Sequence, residues 1–129
     1  MLSWLASLFR SEQPTLGERG ENAAARFLRS LGYKILVRNF DSPVGEIDII
    51  ARDGKVLVFV EVKTREHDDP TPEDQVNTFK QNQLTKTAKL YLNKYSDPPP
   101  ARFDIVAIVW PTNGKPEIRH TIDAFEATF

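Results

Sequence analysis

Two acids and a lysine stand at a spacing suited to phosphodiester chemistry: Asp48, then Glu61 and Lys63 two residues apart. In an extended strand the last two share a face. Carboxylates are hard oxygen ligands that favour Mg2+ or Mn2+, and the main-chain carbonyl of Val62 offers a third oxygen between them. A cation held there would draw charge from a scissile phosphate and lower the pKa of a bound water. Lys63 would position that water or stabilise charge developing on the phosphate. The competing reading of the same residues is a structural ion-pair network in which Lys63 offsets the acids without a metal.

A hairpin must bring these residues together. Strand-like runs cover Tyr33 to Asn39, Gly45 to Arg52 and Lys55 to Thr64, and the last two flank Asp53-Gly54, a strong two-residue turn signal. With Asp53 and Gly54 central, Arg52 pairs with Lys55, Ile50 with Leu57, Asp48 with Phe59 and Glu46 with Glu61. Glu46, Asp48, Ile50, Leu57, Phe59, Glu61 and Lys63 then share one face, and Ile47, Ile49, Val56, Val58, Val60 and Val62 the other. Asp48 and Glu61 become diagonal neighbours, roughly 7–8 Å apart at the backbone, within reach of one small cation. Strands apolar on both faces belong to a sheet covered on both sides, so the acids are expected to be partly buried. Buried like charges need a cation, a shared proton or hydrogen bonds to compensate them.

Helices supply the cover. The spacing of Ala24, Phe27, Leu28 and Leu31 predicts a helix over 16–31 that stops at Gly32. Glu21 lies on its apolar stripe and is aimed at the sheet, where it could bind the metal through water or orient the lysine; Glu18 reads as an acid complementing the helix N-terminus. A second, long helix is predicted from Pro72 or Glu73 to Tyr95, with Val76, Leu84, Ala88, Tyr91, Leu92 and Tyr95 on its stripe. Lys80 falls at the edge of that stripe, within reach of the acids, while Lys86, Lys89 and Lys94 point outward. These lysines are either a solvated face or a phosphate-tracking surface, to which Arg65 would add. His67, in the polar loop 66–72, has no spaced partner and is set aside as a metal ligand.

Arg102 to Trp110 reads as a buried strand, 111–115 as a turn, Glu117 to Ile122 as an edge strand, and 123–129 as a last helical turn. Arg102 and Asp104 share a face as a structural ion pair, and His120 alternates with Ile118 and Ile122 as a packed residue.

Composition bounds the function classes. The chain has 129 residues with 17 Lys plus Arg against 18 Asp plus Glu, a net charge of -1, and no Cys. Nucleic-acid binding by bulk charge is excluded, as are disulfides, thiolate metal sites and Cys nucleophiles. Residues 1–14 are expected to be an appendage and 15–129 one domain. Met1 to Phe9 lacks a positive n-region and is too short to span a bilayer, so no membrane partner is expected, and a cytoplasmic location fits the absence of Cys.

Gly45-Glu46-Ile47-Asp48 followed by Val60-Glu61-Val62-Lys63 resembles the Asp and (D/E)-x-K elements of the PD-(D/E)xK nuclease superfamily, with Ile47 where the literal motif has Pro. Glu21 resembles the helical acid of its Holliday-junction resolvase branch. Together with Gly20-Glu21, Gly32-Tyr33, Asn39, Phe59 to Arg65, Lys80, Arg102-Phe103-Asp104 and Ala124-Phe125, these residues resemble the YraN-like family of bacterial proteins over nearly everything after Thr15. The resemblance implies a single α/β domain with a restriction-endonuclease-like core, a central mixed β-sheet flanked by helices. It also implies catalytic positions at Asp48, Glu61 and Lys63, with Glu21 as a fourth. The function expected is a divalent-metal-dependent nuclease acting on DNA, branched DNA included. The alternative is a DNA-associated binding or scaffold module that keeps the fold without turnover. A homodimer presenting paired sites to two strands is left open.

Overall fold

The structure, a computed structural model, describes residues 13–127. Its elements run α1 (Leu16–Ser30), β1 (Lys34–Ser42), β2 (Gly45–Asp53), β3 (Val56–Arg65), a 3-10 turn (Pro72–Gln75), α2 (Thr78–Leu92), β4 (Ala101–Val109) and β5 (Glu117–Phe125). The five strands form one sheet in the order β1-β2-β3-β4-β5. All neighbours are antiparallel except β3 and β4, which are parallel and therefore need the crossover that carries α2. This is the expected single α/β domain with a central mixed sheet, and it is compatible with a restriction-endonuclease-like core.

Each helix covers one face. Ala23, Ala24, Ala25 and Leu28 of α1 pack with Ile49, Ala51, Val58, Val60, Val62, Val106 and Ile108. On the other face Leu84, Ala88, Tyr91 and Leu92 of α2 pack with Ile47, Ile50, Leu57, Phe59, Phe103 and Ile105. Thr15 caps α1, its hydroxyl accepting the Glu18 N–H at 3.1 Å. The helix lies so close to β3 that a Cβ on Gly20 would stand 1.8 Å from Thr64 Oγ1. Glycine is required there to bring the next residue, Glu21, against the sheet.

Four details depart from the sequence expectations. The hairpin turn is Gly54-Lys55, because Asp53 pairs with Val56 and Ile50 with Phe59. Gly54 alone of the turn has positive φ, +60°, and occupies the first central position, where a type II′ turn demands glycine. The slip is two residues, so side chains keep their faces. Second, the long helix is broken: Val76 leaves helical geometry and Asn77 starts α2 afresh, its side chain accepting the Lys80 N–H at 3.0 Å. Asn competes with a helix for its own backbone and is better used as a cap than in an interior. Third, the tail forms no helical turn, since β5 continues through Phe125, with a bulge at Asp123 (φ 54°). The Asp123 N–H donates to Asp104 at 3.0 Å and Phe125 stacks on Phe103 at 4.6 Å, contacts that hold the strand to the sheet. Fourth, Ile47 and Ile49 lie in opposite cores, where regular alternation puts them together. Residues 1–12, which include most of the expected appendage, lie outside the described residues.

Candidate active site

The reversal between Ile47 and Ile49 creates the site. β2 and β3 pair from the turn as far as Ile49 and Val60, and there the ladder ends. Asp48 stands at the fork. Its Oδ2 accepts the Val62 N–H at 2.8 Å, a side chain taking the place of a ladder carbonyl. Thus Asp48 is turned toward β3 between the faces, instead of lying on the face of Ile50 and Phe59 as regular alternation predicts.

Two carboxyl groups flank Asp48 at the fork. Glu61 is only 4% exposed, and burial first, then its carboxyl contact with Asp48, pushes its pKa up to about 8 against the pull of Lys80 and Lys63. Glu21 reaches Asp48 from α1, and burial followed by the Asp48 charge raises its pKa to about 7, with Arg38 acting in the opposite direction. Asp48 is the middle member, in contact with both. Lys63, half-buried, sits two residues along from Glu61 and adds its positive field. Lys80 Nζ lies 3.3 Å from Glu61 Oε2. That contact is Coulombic in geometry, because the same oxygen is buried without a hydrogen-bond partner among the described residues.

The donor set fits a hard divalent cation of modest protein coordination. Asp48 and Glu61 supply carboxylate oxygens, one of them buried and unsatisfied. Among the described residues no three His, Cys, Asp or Glu side chains converge as a complete cage. Mg2+ commonly retains several waters and takes one or two carboxylates, so two acids with the Val62 carbonyl meet its needs.

The other basic residues divide. Lys80 has the acid partner just described. Lys86 and Lys89 are exposed on the outer side of α2. Arg65 is exposed and donates to Gln75 Oε1 and to its neighbour's carbonyl, Thr64 O. His67 is exposed as well. Sequence reasoning missed Arg38, which lines a cleft with Glu18, Glu21, Asn22 and Asn39. Its signal was a lone arginine inside an apolar run, but placing it needed the β1–β2 pairing, Arg38 opposite Ile49. Arg102 and Asp104 pair as expected, and His120, Tyr33 and Asp53 join them in a separate network that alternation alone did not reveal. No helix among the described residues is long and apolar enough to cross a membrane.

Fold and site together define a small α/β protein whose central hairpin opens into a fork lined with acids. Within that class the chain belongs to the uncharacterised protein family UPF0102, whose model matches residues 20–108 and so spans Glu21, Arg38, Asp48, Glu61, Lys63 and Lys80. This is the YraN-like family that the motifs resemble. The chain is 48% identical over 122 residues to a UPF0102 protein of Geotalea daltonii, covering 93% of this chain and 96% of the relative. It is 48% identical over 114 residues to one of Symbiobacterium thermophilum, covering 87% and 97%. With one of Thermodesulfovibrio yellowstonii the identity is 46% over 111 residues, covering 85% and 95%.

Proposed function

We propose that the protein is a divalent-metal-dependent nuclease hydrolysing DNA phosphodiester bonds. The supporting observation is the fork, where Asp48 contacts both Glu21 and Glu61, and where, among the described residues, one buried Glu61 oxygen has only the Lys80 ammonium nearby, out of hydrogen-bond geometry. A buried unsatisfied acceptor calls for an unseen partner, and beside a second carboxylate the fitting partner is Mg2+ or Mn2+. Asp48 and Glu61 would hold it, with the Val62 carbonyl. When bound, the cation supplies Lewis-acid polarisation and a water of lowered pKa.

The chain's own groups do the rest. The Val62 N–H fixes Asp48 in one orientation, so no side-chain freedom is lost on ligand binding. Glu61, whose neutral form burial favours, would release its proton to solvent before its carboxylate could hold a cation. Glu21, with a pKa near 7, is matched to accept or return a proton at neutral pH. Lys63 places positive charge beside Glu61, where charge develops on a phosphate.

Lys80 favours a second reading. An ammonium group 3.3 Å from Glu61 offsets its charge without a metal, as a non-catalytic DNA-associated module would require. Nicking of supercoiled and branched DNA in Mn2+, with calorimetry of Mn2+ binding, separates the two. For the nuclease, Asp48→Ala loses metal binding, and both Asp48→Ala and Lys63→Ala lose cleavage by about a hundredfold or more. DNA binding indifferent to metal and to both substitutions selects the module.

A further inference from the structure

Three cationic groups surround the fork, and two act on Glu61: Lys80 at 3.3 Å and Lys63 through its field. The third is Arg38. It is half-buried on β1, opposite Ile49 and therefore beside Asp48 across the ladder. Its Nε is buried with no hydrogen-bond partner, and its guanidinium has no carboxylate within 4.0 Å among the described residues. The other partly buried arginines among the described residues each make four hydrogen bonds. Arg102 bonds Asp104, Asp53 and Tyr33, and Arg119 bonds Asp68 and Glu73 twice each.

Acids do line the Arg38 cleft, yet Glu21 directs its hydrogen bond to Asp48. An Nε held out of water with its donor unused is costly, and the rest of the half-buried guanidinium faces the cleft, where an acceptor can arrive from outside. An anion is the best-matched acceptor, because the guanidinium is permanently charged and its planar fork matches phosphate oxygens. Asn22 and Asn39 of the same cleft have amides that can donate to such an anion.

We propose that Arg38 binds a phosphate of the nucleic-acid strand next to the one lying at the acid fork. The proposal rests on the nucleic-acid reading above and adds a substrate-positioning residue to it. On this view Arg38 sets which phosphate is presented to Asp48 and Glu61. It does not itself touch the reacting bond.

The test measures binding of fluorescent single-stranded and branched DNA to the full chain in EDTA, as a function of salt, with 5′-phosphorylated and 5′-hydroxyl strands. Cleavage in Mn2+ is followed separately. Arg38→Ala weakens binding by about tenfold at low salt and lowers the salt slope by about one, whereas Arg52→Ala, exposed near the hairpin turn, does neither beyond a general charge effect common to all strands. Arg38→Lys keeps the slope but recovers only part of the affinity, since a point charge replaces a fork; it also serves if the alanine variant fails to fold. Equal weakening for both strand types assigns an internal phosphodiester, and weakening confined to the 5′-phosphorylated strand assigns a terminal phosphate. Affinity and slope unchanged in both Arg38 variants, or matched by Arg52→Ala, overturn the proposal even if DNA is cleaved. Arg38-dependent binding without any cleavage would instead leave this site standing and remove the nuclease.

Discussion

Asp104 and Glu61 are both buried acids on adjacent strands, and they are compensated in opposite ways. Asp104 is 0% exposed, and both its oxygens are bonded: Arg102 donates to each, the Asp123 N–H to Oδ1, and His120 Nε2 lies 2.8 Å from Oδ2. Glu61 has an ammonium at 3.3 Å, a second carboxyl group against it and one oxygen without a hydrogen bond among the described residues. A protein able to satisfy one buried carboxylate completely has left the other short of donors. Asp104 ties β4 to β5 and, through Arg102, to Tyr33 just ahead of β1. Glu61 is kept poorly satisfied in a fork, where a ligand can supply what the fold withholds.

The largest expected effect is at the satisfied acid. Asp104→Asn leaves Arg102 and His120 facing a neutral group inside the protein, and urea unfolding should show a loss of about 3–5 kcal/mol. A loss under about 1 kcal/mol would mean that the two acids do not differ as described.

Glu61→Gln should act with the opposite sign. The folded pKa of Glu61 is raised from 4.5 to about 8, so its neutral form is the one the fold favours. Wild-type stability is therefore undiminished below the unfolded pKa, falls as pH rises, and carries the full penalty above pH 8. The glutamine variant avoids that penalty. It should match wild type near pH 4 and exceed it by a few kcal/mol at pH 8 to 9. Thermal melts across that range check it. Mn2+ should raise the wild-type melting temperature at pH 8, raise it far less at pH 5, and leave Glu61→Gln unmoved.

The smallest effect is at Glu21. Its pKa is also raised, to about 7, and again the neutral form is favoured, so Glu21→Gln stabilises above pH 7 and not below about pH 4. Solvent reaches this side chain, which limits the gain to under about 1 kcal/mol. The sharper readout is the pH–rate profile for nicking, whose limb near neutral pH should flatten if Glu21 carries a catalytic proton.

Much of this was legible in the chain. Glu61 and Lys63 could be placed on one face because strand alternation survives a two-residue slip, whereas Asp48 joins them only through the break in alternation between Ile47 and Ile49. Glu21 could be aimed at the sheet from helical periodicity. The break at Asn77 was harder to read, since a capping side chain and a helix interior residue look alike until the Lys80 N–H is seen bonded to it. The strand character of 123–125 depended on Asp104, nineteen residues earlier.

Local sequence determined the elements, the faces they bury and the identity of the three acids, because periodicity and turn chemistry act over a few residues. Only the tertiary structure decided that β2 parts from β3 at Asp48, that Lys80 spends its charge on Glu61, and that Arg38 has no carboxylate within 4.0 Å among the described residues. Those outcomes depend on which groups from distant segments satisfy one another's hydrogen bonds and charges, and that is settled by packing in three dimensions, to which sequence spacing is blind.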